Sequence, residues 1–240
     1  MQNIDKKKVL NDAKIWFKES FAESHIKNTL KLINPNEFNI NHFTTTYLAN
    51  FLTGNSSPES IARALLYPRV LGTSVTTIFG AGIQKFTNEV LGTLGSTTNG
   101  IDIEFIDQVD NHKKYCQLKS GPNTINSDDV ITVAGHFKDI INLSRTNNLR
   151  ITHDDLIVGV IYGAPQDLSN FYKKITNDYH YPVYVGQEFW HRLTGDPEFY
   201  DDLLGAIGSV AVDADFSKEF EEVVKQLAAT QEIQSLSNRN

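Results

Sequence analysis

Residues 101–119 hold two short runs that alternate between apolar and polar side chains, and little besides a hairpin can use both. In the first run, Ile101-Asp102-Ile103-Glu104-Phe105-Ile106, the period of two is that of a strand with one buried face, so Asp102 and Glu104 are expected to point the same way. A polar break at Asp110-Asn111-His112-Lys113-Lys114 has the composition of a turn. The second run, Tyr115-Cys116-Gln117-Leu118-Lys119, follows directly. If its Gln117 and Lys119 face the acids, two carboxylates, an amide and an ammonium converge on one patch.

Such a patch has the donors for a divalent metal. Magnesium takes hard oxygen ligands and keeps several waters, so one or two carboxylates plus a substrate phosphate suffice. Lysine adds an ammonium that can orient a water or offset charge building on a phosphate. The order of these residues resembles the PD-(D/E)xK nuclease superfamily, in which an acid on one strand precedes acid-x-Lys on the next. Here the pattern reads Asp102, then Gln117-x-Lys119. Two departures stand out. Gly100-Ile101 precedes the aspartate where a proline often stands, and Gln117 holds the place of the second acid. An amide oxygen can ligate a cation but brings no charge, so Glu104 or Glu89 is expected to compensate.

The flanking segments predict an α/β core. Ser127-Asp128-Asp129 opens a helix, with Ser127 as its cap and acids on its positive end. Leu156 to Tyr162 is a continuous apolar run of strand length, as expected of a central strand covered on both faces. Tyr181 to Val185 reads as another strand, Gly186 to Leu193 as the helix it feeds, and Asp196-Pro197-Glu198 as the start of a further helix. Residues 216–235 are amphipathic, and the polar tail from Ser235 to Asn240 is expected to fray.

The N-terminal part reads as all helical. Apolar residues recur at helical spacing over 5–33, stopped by Asn34-Pro35-Asn36. A second helix runs from about His42 to Leu52, and Ser57-Pro58 opens a third. Residues 74–91 are helical in spacing despite Gly80 and Gly82, which lack the context of a dinucleotide loop. The expected division is a helical region over 1–73 and an α/β core with C-terminal helices over 74–240.

Composition narrows the class without choosing the function. A chain of 240 residues, 40% hydrophobic and 10% aromatic, can bury a full core. No apolar run reaches the roughly 18 residues of a membrane span. The basic start lacks an apolar stretch behind it, so the expected location is cytoplasmic. A lone cysteine, Cys116, excludes an internal disulfide and a cysteine-based zinc site. The net charge of −7 sits awkwardly with DNA binding, but the field that matters is that of the binding face. His112 and His136 read as surface or packing residues, Trp16 and Trp190 as core, and Tyr162-Gly163 as a strand-end turn.

The succession Gln117-Leu118-Lys119-Ser120-Gly121, Ile157 to Gly163 and Tyr184 to Trp190 is similar to one group of type II restriction endonucleases, which includes enzymes cutting interrupted GG-N-CC palindromes. The resemblance covers roughly 73–204. It implies a PD-(D/E)xK core, a mixed sheet flanked by helices, with a helical N-terminal region that helps to build a homodimer. It implies a Mg2+-dependent cut through both strands of double-stranded DNA, giving 5′-phosphate ends. Asp102 matches the metal-binding acid, Lys119 the catalytic lysine, and Gln117 the second acid, with Glu89 or Glu104 beside them. A palindromic site also calls for a protein of matching two-fold symmetry. The loop after Lys119 offers Ser120, Asn123, Thr124 and Asn126 as DNA contacts, since these side chains can reach phosphates or base edges. Two other readings stand beside this one: a non-catalytic DNA-binding or assembly protein on the same fold, favoured by Gln117, and a nuclease of branched or mismatched DNA.

Overall fold

A computed structural model describes residues 5–146, 150–213 and 216–238. Helix α1, Lys6–Trp16, passes through wider π-helical turns at Phe17–Ala22 into α2, Glu23–Leu30. Helix α3, His42–Thr53, starts where the Asn41 carboxamide oxygen accepts from the Phe43 and Thr44 amides, and ends at Gly54, whose φ of +75° suits a residue without Cβ. Helix α4, Pro58–Pro68, is capped by Ser57, with proline in the first turn where its missing N–H costs nothing. A second π-helical stretch, Arg69–Ser74, leads into α5, Val75–Val90.

The hairpin forms as expected. Strand β1, Ile103–Ile106, pairs antiparallel with β2, Lys113–Lys119, with Glu104 opposite Tyr115 and Ile106 opposite Lys113. The turn between them is shorter than its composition suggests, because Lys113 and Lys114 belong to β2. The physical reason is that the Lys114 ammonium is buried yet fully engaged: it donates to the Asp154 carbonyl at 3.0 Å and pairs with Asp110 at 2.7 Å. Asp107, fully buried, closes the turn by accepting from the Val109 amide at 2.8 Å and from Arg192 Nη1 at 2.8 Å.

Helix α6, Ser127–Thr146, then leads to β3, Leu156–Val160; α7, Asn170–Tyr179, leads to β4, Val183–Val185. The sheet order is β1-β2-β3-β4, with β2, β3 and β4 parallel, and β3 is buried along its whole length as the unbroken apolar run requires. Helix α7 has no counterpart in the sequence reading. The cap of α6 is Asn126 rather than Ser127: its Oδ1 accepts from the Asp128 and Asp129 amides while the Asp129 carboxylate accepts from the Asn126 amide. Helices α8, Gln187–Thr194, α9, Phe199–Asp213, α10, Ser217–Ala228, and α11, Gln231–Ser237, complete the chain. The expected frayed tail is helical to Ser237, and its last two residues lie outside those described.

The chain divides into two compact units, and neither is a continuous segment. One joins 1–16 to 83–208; the other joins 17–82 to 209–240. The first helix therefore goes with the sheet, and the C-terminal helices go with the helical region, unlike a single division at 73.

In the sheet unit, alternation sorts the core into two layers. Leu156, Val158 and Val160 of β3 meet Val133, Phe137 and Ile140 of α6 and Tyr172 and Ile175 of α7. Gly159 looks the other way, toward Phe189 on α8 and Cys116 on β2. Trp190 is fully buried, and its indole nitrogen donates to the Ile161 carbonyl at 2.9 Å. Each such side chain contributes about 1.5–3 kcal/mol of apolar burial. In the helical unit, Ile61, Ala62 and Leu66 of α4 pack with Val223, Val224 and Leu227 of α10 and Ile233 of α11. Arg63 forks onto Glu221 there, with contacts of 2.8 and 2.5 Å. No helix among the described residues is long and apolar enough to cross a membrane.

Candidate active site

Asp102 lies one residue before β1, and its carboxylate turns into the sheet instead of standing on a face. Its Oδ2 accepts from the Leu118 amide at 2.7 Å, in the place of a ladder carbonyl, while its own amide donates to the Cys116 carbonyl at 3.0 Å. Leu118 is the middle residue of Gln117-Leu118-Lys119, so the acid rests against the backbone between the two polar side chains. Oδ1 accepts no hydrogen bond among the described residues. Gln117 and Lys119 share a face of β2 by alternation, opposite Val158 and Val160 on β3. Two features separated by fifteen residues are thus brought to one spot by a strand pair.

The other acids are placed differently. Glu104 stands on the same sheet face, but its carboxylate is engaged by Ser96 Oγ at 2.5 Å, Thr98 Oγ1 at 3.0 Å and Lys113 Nζ at 2.6 Å. Burial disfavours its charged form, yet the bonds from Lys113, Ser96 and Thr98 together outweigh burial and hold its carboxyl below the usual range. Glu89, half-exposed near the end of α5, pairs with Lys85 at 3.6 Å. Among the described residues no three His, Cys, Asp or Glu side chains gather into a metal-holding cluster. Lys119, by contrast, makes no ion pair among the described residues.

The donor set fits a hydrated hard cation. One free carboxylate oxygen on Asp102 and the amide oxygen of Gln117 meet the minimum that magnesium takes from protein, with water and phosphate oxygens completing the shell. They do not make the closed cage of a structural zinc.

His136 packs beside these residues, in keeping with the packing role expected of it, and also meets Gln117. It projects from α6 so that Nδ1 lies 2.9 Å from Gln117 Nε2. Its ring also fills the space above Gly100, where any Cβ would overlap it, and Gly100 adopts a φ of +77° two residues before Asp102. The only hint in the sequence was that α6 follows the hairpin and must cover the sheet.

The loop after Lys119 is tied down at several points. Ser120 is buried. The Gly121 carbonyl accepts from Thr124 Oγ1 and from the Tyr172 hydroxyl, both at 2.9 Å. Burial pushes the Tyr172 hydroxyl up to about 12, so it stays a neutral donor. The Asn126 oxygen is spent on the helix cap, leaving its amide nitrogen. Asn123 is exposed.

A four-stranded mixed sheet flanked by helices, with Asp102 against the Gln117-Leu118-Lys119 strand, is consistent with an α/β nuclease fold. Residues 20–215 match the family of the type II restriction endonuclease EcoO109I. The chain belongs to that family and is thereby a DNA-cutting enzyme of a restriction system. Type II restriction endonucleases generally use divalent metal ions. No curated protein matches the chain.

Proposed function

We propose that this chain is a homodimeric, Mg2+-dependent restriction endonuclease that cuts both strands of a GG-N-CC-type palindrome and leaves 5′-phosphate and 3′-hydroxyl ends. The observation that carries the reading is the Asp102 carboxylate lying against the backbone of Gln117-Leu118-Lys119, with the Lys119 ammonium in no ion pair among the described residues. Asp102 Oδ1 and Gln117 Oε1 would hold the cation. The chemistry bound magnesium supplies is neutralisation of phosphate charge and acidification of a water. Lys119 donates to a non-bridging phosphate oxygen or to the attacking water, offsetting the charge that grows as the water oxygen bonds to phosphorus and the 3′ oxygen departs. Asp102 keeps its orientation through Leu118, so the acid moves only if the strand pair moves. Asn123 and the Asn126 amide nitrogen are the loop groups best placed to reach DNA.

The dimer has its own support. Helix α3 exposes Phe43, Tyr47 and Phe51 at i, i+4 and i+8, at 90%, 65% and 71% of full exposure. Its sequence contains no acid, lysine or arginine. An aromatic stripe of this kind on a palindrome-cutting enzyme is suited to cover by a second copy.

Gln117 and the lack of a metal-holding cluster of His, Cys, Asp or Glu among the described residues favour one rival, a protein that binds DNA on this fold without cutting it. Incubating the purified protein with a plasmid of known sequence and Mg2+, then mapping the ends, separates the two. Discrete fragments with 5′-phosphates at GG-N-CC sites are expected. A mobility shift with intact plasmid would establish the rival.

A further inference from the structure

His136 sits where no ligand is expected of it, touching both limbs of the site. Its ring supports Gly100 on the approach to Asp102, and its Nδ1 meets the Gln117 amide at 2.9 Å. Gln117 is buried, at 5% of full exposure, so the orientation of its carboxamide is set by what it can bond. Its two ends are chemically opposite, and only the oxygen can ligate a cation. Which end faces outward therefore decides whether the residue is a ligand at all.

We infer that His136 is a positioning residue for the nuclease reaction: its unprotonated Nδ1 accepts from Gln117 Nε2 and so commits Gln117 Oε1 to the metal. The inference rests on the proposed metal role of Asp102 and Gln117. It also gives a reason for an amide at this place. A glutamate has no N–H to give, so a ring acceptor at Nδ1 and a glutamine at 117 form a matched pair. Gln117 is then a ligand held by a partner from α6, and not the relic of a lost acid. Groups that orient a metal ligand from behind are worth about 10–100-fold in metal affinity.

The first test needs no substitution. In the full chain at alkaline pH, the imidazole 15N spectrum should show His136 with Nδ1 bare and Nε2 protonated. A proton on Nδ1 would mean that the ring donates to Gln117 Oε1, which overturns the inference. The second test titrates Mn2+ into the metal-free chain. His136→Phe keeps a ring but loses the acceptor, and should weaken Mn2+ binding about tenfold. His136→Asn, whose Oδ1 stands near the position of Nδ1, should recover most of that loss. Equal Mn2+ affinity in wild type and His136→Phe, or an Asn variant as weak as Phe with an unchanged melting midpoint, overturns the positioning role alone. If wild type itself binds no Mn2+, the metal reading of the site falls, and this inference with it.

Discussion

Glu104 shows how one carboxylate can lie beside the Gln117-Leu118-Lys119 strand and still serve structure. Three donors hold it, and their combined pull lowers its titration below the ordinary 4.5. A group depressed in the folded state stabilises fully above its unfolded value and loses that contribution as the pH falls through its folded one. Glu104→Gln should therefore cost about 1 kcal/mol at neutral pH, and the denaturation midpoints of the two proteins should converge in acid. Urea titrations at several pH values check this. Cys116 presents the reverse case. Complete burial, with a smaller push from Asp102, drives its thiol well above the usual range, so little reactive thiolate forms. A thiol reagent should leave the native chain unlabelled and modify it only in denaturant. Labelling at the native rate of a free thiol would contradict the burial described for β2.

Among the elements, β3 and α8 are held at a close approach that Gly159 makes possible. A Cβ there would lie 2.5 Å from Phe189 Cε2 and 2.9 Å from Cys116 Sγ. Gly159→Val should lower stability by about 1–3 kcal/mol, read as a shift in the urea midpoint, because the tightly packed layer cannot give way cheaply. This layer was legible in the sequence, since the unbroken run from Leu156 could be satisfied only by cover on both faces. The hairpin was legible for a similar reason: strict alternation leaves few other ways to bury Ile103, Phe105 and Cys116. Lys114 was not legible. Its composition says turn, and its burial depends on Asp110 nearby together with distant partners at Asp154 and Asp155. Helix α7 is hard to read from sequence because its buried side chains, Tyr172 and Ile175, stand among polar ones. Asp102 and Lys119 could be singled out because a short motif contains them both. His136 could not, because its role depends on where α6 crosses the sheet, and no local spacing records that.

At the scale of the whole molecule, the two units are each stitched from separate stretches of chain, so a boundary drawn along the sequence could not describe them. The exposed aromatic stripe on α3 is the feature that a single copy leaves unexplained. If the proposed dimer forms through this stripe, Phe51→Asp should shift the chain from dimer to monomer in sedimentation, with the sheet unit's spectroscopic signature intact; a dimer of unchanged strength would place the interface elsewhere. Lys119, on the strand that Asp102 rests against, is expected to serve cleavage and not DNA binding. The most direct test is Lys119→Ala, with binding to a cognate duplex measured in Ca2+ and cleavage of the same duplex measured in Mg2+. Binding within about threefold of wild type and cleavage reduced by about a thousandfold are expected, as for loss of a charge-stabilising group. Undiminished cleavage by the variant would contradict the account.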